Sequence, residues 1–234
     1  DAIYGAGMLD SASGSATMLE VGLKMQKTPT LNRLRYVWFG GEELGLLGST
    51  HYVESLSDAE KAKILLNLNF DMLGSPNYVR FVYDGNGSDT PDAGPDGSGL
   101  IENVFLAHFA RKNLATTPTA FDGRSDYGPF IENGIPAGGL FSGAENVKSE
   151  AEARIYGGTA GQPYDACYHQ PCDGIANISN TALDQFSDAV ANSVIVFGMR
   201  GDPVTDTAEF AASAAKRAAA AKRSPLFKGG LTIR

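Results

Sequence analysis

The feature that most constrains the fold is an alternation of short β-rich runs with helical segments. Such runs, each ending at glycine, aspartate or another polar residue, predict strands at 34–39, 64–70, 79–83 and 136–141. Helical periodicity predicts helices at 11–27, 100–112, 125–133 and 182–199, and a further helical segment that ends at residue 53. Because a parallel connection needs a long crossover, this alternation favours an α/β fold with a largely parallel sheet covered on both faces.

Length and charge limit the domain organisation and the partners. The 234 residues suffice for one good-sized domain, predicted to be 1–201, whereas the alanine-rich residues 202–234 read as a tail or linker. The net charge of −8 argues against nucleic acid or an anionic membrane as the main partner. No apolar run approaches the ~20 residues of a membrane-spanning helix.

Acidic residues follow two predicted strands and precede the first helix. Glu42 and Glu43 come after the first strand, Asp71 after the second, and Asp10 stands before the helix at 11–27. Taken singly, each fits a helix cap or a solvated charge. Gathered at one sheet edge they would repel one another unless they share a cation, and with an imidazole such as His169 they suit Zn²⁺, Mn²⁺ or Co²⁺.

The two cysteines bracket this histidine. Cys167 and Cys172 are the only cysteines, and their spacing allows a short disulfide loop that would hold His169 still and favour an oxidising, extracellular setting. A pair of reduced thiols is the alternative, and a zinc site built on both is less favoured because no second pair exists. His51 and His108 fall on helical segments, where surface or packing roles are expected.

Five runs of sequence carry a resemblance to a known family. They are GMLDSASGSA at 7–16, WFGGEELGLLGS at 38–49, NFDMLG at 69–74, FDGRSDY at 121–127 and YDACYHQPCD at 164–173. In this order they resemble the motifs of the secreted di-zinc aminopeptidases of the Streptomyces type (zinc metallopeptidase family twenty-eight). The resemblance ends near residue 200 and implies a three-layer α/β/α fold with a mostly parallel, mixed sheet.

The resemblance also implies a metal site with two zinc ions. Asp10 would bridge the ions, Glu43 and His169 would complete one site, and Asp71 would serve the other. Such a centre suits a metallopeptidase, because two metals polarise the scissile carbonyl and lower the pKa of a shared water.

The implied activity is removal of N-terminal, preferably large hydrophobic, residues from peptides or proteins. Glu42 would be the general base, and the Tyr168 hydroxyl would stabilise the developing oxyanion. The implied substrate pocket would be lined by Met72, Gly123, Arg124 and Phe141.

Further expectations concern a second cation and the setting of the protein. Asp184 and Asp188, four residues apart on the last helix, match calcium-binding acids of some relatives, although two solvated carboxylates on an exposed face explain them as well. The resemblance implies a secreted, monomeric enzyme that binds neither nucleic acid nor membrane.

One family feature is absent from this sequence: a His-x-Asp run upstream of Asp10. We therefore expect the chain to correspond to the C-terminal two-thirds of the catalytic domain, without its first strands. On its own it should bind at most one zinc ion tightly and show little activity. Two alternatives stay open: a glutaminyl cyclase-like relative, which the cysteine-bounded Tyr168-His169 loop disfavours, and a non-catalytic binding domain, which the presence of Glu42 and Tyr168 disfavours.

Overall fold

A four-stranded mixed sheet forms the centre of the structure, a computed structural model that describes residues 4–206. In the order β1-β4-β2-β3, β1 pairs parallel with β4, β2 pairs parallel with β3, and the central β2–β4 pair is antiparallel. Its strands are β1 Asn67–Phe70, β2 Phe81–Tyr83, β3 Thr117–Thr119 and β4 Ala137–Phe141. The predicted α/β fold with a mixed sheet is thereby confirmed.

Helices surround this sheet. They are α1 Ala12–Met25, α2 Leu47–Ser55, α3 Asp58–Lys61, α4 Ser98–Arg111, α5 Gly128–Glu132, α6 Glu150–Tyr156 and α7 Asn180–Gly198. Short 3₁₀ turns occupy Glu42–Leu44 and Ile175–Asn177. Across residues 4–206, none of the helices has the length and apolar character needed to cross a bilayer.

The two faces of the sheet bury different side chains. On one face Val82 and Leu140 join the main core, to which α4 contributes Phe105 and α7 contributes Phe186. On the other face Phe81 stacks on Phe141. This separation follows from the alternation of side chains along each strand. Polar side chains are found instead where strands end, as with Asp71 directly after β1.

Residues 34–39, predicted as a strand, form no regular element and belong to no ladder among the described residues. The prediction rested on their β-rich composition alone. A strand also needs an adjacent strand to which its backbone N–H and C=O groups can hydrogen-bond. A cavity of about 770 Å³ lies beside this segment, lined by residues 32–39 and by residues 63–71, which include β1. We call it the inter-strand cavity.

The start of the predicted tail remains attached to the body. Val204 is buried in the main core, and Asp206 accepts hydrogen bonds from the first-turn amides of α4, at 2.8 Å from Leu100 N and 3.4 Å from Gly99 N. The remainder of the tail, from residue 207, lies outside the described residues. The domain boundary at 201 therefore stays a prediction.

Candidate metal centre

Three side chains from distant parts of the chain converge near Asp71, the residue that follows β1. One ligand atom from each of Asp10, Glu43 and His169 lies within 4.8 Å of the others. His169 Nε2 is 2.6 Å from Glu43 Oε1 and 3.1 Å from Asp10 Oδ2. Two carboxylates and one imidazole at this spacing are a donor set that suits zinc.

Local sequence places Glu43 in this cluster. The 3₁₀ turn Glu42–Leu44 lies between Gly41, with a φ of 70°, and Gly45, with a φ of 98°. Both torsions lie in the left-handed region that glycine adopts without strain. The glycines thus allow the chain to reverse sharply after residues 34–39 and to hold both glutamates at the turn.

A disulfide fixes the loop that carries the imidazole. Cys167 and Cys172 are bonded, with their Cα atoms 5.3 Å apart, which confirms the predicted bridge and rules out free thiols or a thiolate zinc site. Within this loop His169 has a φ of 54°, a conformation that is costly for a non-glycine residue. The bridge restricts the loop to few conformations and so helps to hold His169 toward the two carboxylates.

The centre concentrates negative charge in a poorly solvated place. Burial, followed by the charges of Asp71 and Glu43, raises the pKa of Asp10 to about 9. Burial and the charges of Asp71, Glu43 and Asp126 raise the pKa of Glu42 to about 8. Carboxylates arranged in this way need a proton or a cation to offset their repulsion.

Asp71 has an oxygen that is available to a ligand. The Ser125 hydroxyl donates to Asp71 Oδ2 at 2.8 Å and itself accepts from Asn69 Nδ2 at 2.8 Å. The other carboxylate oxygen, Oδ1, is buried without a hydrogen-bond partner among the described residues. Buried polar atoms are normally satisfied, so this orphan oxygen next to the cluster fits the binding of a metal ion.

Tyr168 is held beside the cluster as a neutral donor. Its ring stacks on the His169 imidazole with a centroid distance of 3.7 Å, and its hydroxyl accepts from Arg124 Nη2 at 3.2 Å. Arg124 also forms a salt bridge of 3.0 Å with Glu145. Burial raises the pKa of Tyr168 above its usual value, so the phenol keeps its proton at neutral pH.

Three of the four residues predicted to line the substrate pocket contact or pack with Tyr168. Met72 is buried, and Phe141 packs with it and with the Tyr168 ring in one hydrophobic cluster. Arg124 contacts the Tyr168 hydroxyl, and Gly123 precedes it in an exposed turn. The structure thus brings Met72, Arg124 and Phe141 to Tyr168, next to His169.

The predicted calcium pair lies elsewhere. Asp184 and Asp188 are exposed on α7, and the Asp188 carboxylate forms an ion pair with Lys112. Calcium binding there stays a prediction. The other two histidines are also away from the cluster: His108 is buried in α4 against Phe109, and His51 is exposed on α2.

Sequence reasoning missed the residues that support the ligands. Ser125 and Asp126 lie in the predicted pocket loop, yet Ser125 bonds to Asp71, and Asp126 is close enough to raise the pKa of Glu42. Asp173 bonds to the backbone of Leu9 and Asp10. For Asp173 the available signal was its place four residues after His169, and for Ser125 and Asp126 it was their place in the predicted pocket loop. The long-range contacts themselves appear only once the chain is folded.

The inter-strand cavity and the metal centre share residues. The side chains of Asp10, Glu42, Asp71 and Asp126 all line the cavity. An occupant of the cavity would therefore reach the acidic groups of the centre.

Comparison with known proteins points in the same direction as this geometry. Residues 1–194 match the family model described as Peptidase family M28. An aminopeptidase of Pseudomonas aeruginosa is 51% identical over 192 residues, which are 82% of this chain and 36% of that protein. Leupeptin-inactivating enzyme 1 of Streptomyces exfoliatus is 46% identical over 236 residues, covering 97% of this chain and 51% of that protein. The chain thus spans about half or less of these relatives' lengths.

Solved structures show the same fold. A zinc aminopeptidase from Bacillus subtilis has a TM-score of 0.69 at 26% identity, covering 88% of this chain and 46% of that chain. A glutaminyl cyclase from Porphyromonas gingivalis has a TM-score of 0.56 at 20% identity, covering 81% of this chain and 63% of that chain. At that identity the second likeness shows a shared fold alone.

Proposed function

Because the chain belongs to peptidase family M28, we propose that it carries the active site of a zinc-dependent aminopeptidase. The observation that carries the proposal is the convergence of Asp10, Glu43 and His169 within 4.8 Å, with the orphan oxygen of Asp71 nearby. A non-catalytic scaffold has no need for buried, mutually repelling carboxylates, since burying them destabilises the fold.

Zinc bound to this set would supply Lewis-acid chemistry, polarising a peptide carbonyl and making a water molecule acidic. Glu42, adjacent to the ligand Glu43 in the 3₁₀ turn, takes the proton of the attacking water and delivers it to the leaving amine. Its pKa of about 8 in the metal-free centre would fall when a cation offsets the neighbouring charges, so that it could act as a base at neutral pH. The Tyr168 hydroxyl donates to the oxyanion as its charge develops.

The substrate would be the N-terminus of a peptide with a large hydrophobic first residue. The apolar cluster formed by Met72, Phe141 and the Tyr168 ring lies next to the ligands and would bind such a side chain. Acidic groups beside the metal would attract the free α-amino group. We further propose that the protein is a secreted monomer, with the disulfide as support for an oxidising setting.

We propose that the centre holds two zinc ions. Asp10, Glu43 and His169 provide three ligands for one ion, whereas among residues 4–206 the second has only Asp71 and a share of Asp10. A further imidazole ligand would complete the second site. Two carboxylates without an imidazole should bind zinc much more weakly.

Metal content and turnover of leucine p-nitroanilide test the proposal together. Elemental analysis should show at most one tightly bound zinc per residues 1–234, with little turnover, and two zinc ions with activity in a longer polypeptide that includes an upstream His-x-Asp run. His169→Ala should abolish tight binding of the ion that Asp10, Glu43 and His169 would hold, in either polypeptide. Glu150→Gln, an exposed carboxylate at the start of α6, is the control and should change neither.

Three results would contradict the proposal. Two tightly held ions and full activity in residues 1–234 would show that the ligand set is misassigned. Unchanged zinc content in His169→Ala would show that zinc does not bind at the proposed centre. Cyclisation of an N-terminal glutamine peptide without leucine release would favour the glutaminyl cyclase alternative.

A further inference from the structure

Asp173 joins the two loops that carry the metal ligands. Its carboxylate is 3% exposed, and each of its oxygens accepts a hydrogen bond from the backbone before α1. Oδ1 accepts from Leu9 N at 2.9 Å, and Oδ2 accepts from Asp10 N at 3.1 Å. One carboxylate thus holds two consecutive amides more than 160 positions away in the sequence, one of them the amide of a proposed ligand.

Further contacts hold the same two segments together. Met8 N donates to the carbonyl oxygen of Asp173 at 3.4 Å. A Cβ added at Gly5 would lie 2.4 Å from the Gln170 carbonyl oxygen, so the backbones touch there and only glycine fits. Asp173 immediately follows the disulfide loop and donates its own amide to the Gln170 carbonyl at 3.0 Å. The segment that leads to Asp10 therefore rests on the loop that presents His169.

We propose that Asp173 is a positioning residue that sets the distance between the ligand atoms of Asp10 and His169. The inference rests on the proposed zinc centre. A group that orients ligands without touching the metal commonly changes metal affinity by about 10–100-fold when it is mutated. Here the Asp173 carboxylate accepts a hydrogen bond from the backbone amide of Asp10, and Asp173 itself lies four residues after His169.

The choice of a carboxylate supports this role. Another negative charge close to an acidic centre is unfavourable, and the charge of Asp173 already contributes to the raised pKa of buried Asp165. A carboxylate nevertheless offers two acceptor oxygens for two adjacent N–H groups, whereas an asparagine would turn an NH₂ toward one of them. Asn177 Nδ2 offsets part of the charge by donating to Asp165 Oδ1 at 2.9 Å and to Asp173 Oδ1 at 3.3 Å.

Zinc affinity of Asp173→Asn, measured by competition with a chromogenic chelator on the full-length protein, tests the inference. We expect zinc binding to weaken by about 10–100-fold. Glu152→Gln is the matched control, because Glu152 is another buried carboxylate that accepts a backbone amide, from Ser149 at 2.7 Å, outside the metal centre. In the metal-free state Glu152→Gln should lose about as much thermal stability as Asp173→Asn. Its zinc affinity should nevertheless stay at the wild-type value.

The outcomes separate the inference from the proposed function. Equal zinc affinity in Asp173→Asn and Glu152→Gln would overturn the positioning role while leaving the zinc centre intact. A wild-type protein that binds no zinc would overturn both. If Asp173→Asn does not fold, Asn177→Ala decides: it keeps the carboxylate but removes one of its donors, so a smaller loss of zinc affinity supports the role and unchanged affinity refutes it.

Discussion

Removing the disulfide by the paired changes Cys167→Ser and Cys172→Ser should have two separable effects. The bridge joins residues five positions apart, and the entropy of closing so short a loop predicts a loss of about 2 kcal/mol in the free energy of unfolding. For a folded unit of about 200 residues this corresponds to a fall of about 4–8 °C in Tm. The second effect is on zinc, because Tyr168 and His169 lie inside the loop.

Differential scanning calorimetry of the metal-free protein measures the first effect, and a chelator competition titration measures the second. We expect zinc affinity to fall by about tenfold or more, since the imidazole is no longer held toward its partners. Wild-type protein treated with reductant is the control and should behave like the double variant. A variant with unchanged Tm and unchanged zinc affinity would refute the idea that the bridge organises the ligand loop.

The remaining predictions concern the base, the metal-free state and the sheet. Glu42→Gln should lower turnover by about 10²–10⁴-fold while zinc is retained, because Glu42 is assigned as the general base. Glu43→Gln should lose zinc, because Glu43 is assigned as a ligand, and similar metal loss in both variants would contradict these roles. Burial and neighbouring charges raise the pKa of Asp10 to about 9 and that of Glu42 to about 8, against about 4 when unfolded. The folded state therefore holds more protons than the unfolded state, so the Tm in chelator should fall as the pH rises from about 4 to 9, and a flat profile would contradict this. Gly139→Ala places a Cβ 1.9 Å from a β1 carbonyl oxygen and should lower the free energy of unfolding, measured by urea titration, by about 2 kcal/mol or more. Gly201→Ala, where the added Cβ meets only ordinary contacts, should be nearly neutral, and equal losses in the two variants would contradict the clash.

Elements with a strong local signal were predictable. The periodic helices α1, α4 and α7 lie within about two residues of the predicted bounds, and β4 matches the predicted strand except for its first residue. The strand β3 was missed because Thr117-Pro118-Thr119 is three residues long and contains a proline, and its pairing with β2 comes from tertiary context. Helix α6 was missed although Ser149 and Glu152 form a capping box, a signal present in the sequence.

For the candidate centre, too, one part was predictable from the sequence and another was not. Asp10, Glu43 and His169 stand in distinctive runs of sequence, so they could be named without coordinates. Which of them approach one another depends on contacts such as the bond from Leu9 N to Asp173, which joins residues 164 positions apart. Pairings of that range leave no periodic trace in a single sequence.

The inter-strand cavity has a thermodynamic consequence. Because residues that line it include Asp10 and Asp71, any polypeptide segment that settles there and metal that binds at the carboxylates act on the same atoms. If the segment tightens metal binding by some factor, metal must tighten the segment by the same factor, since the two free energies form a closed cycle. Loss of metal would then weaken the binding of the segment, and loss of the segment would weaken the binding of metal by the same factor. Folding stability and metal loading in this family member are therefore expected to be coupled, so that a chelator should lower the Tm without unfolding the protein at room temperature.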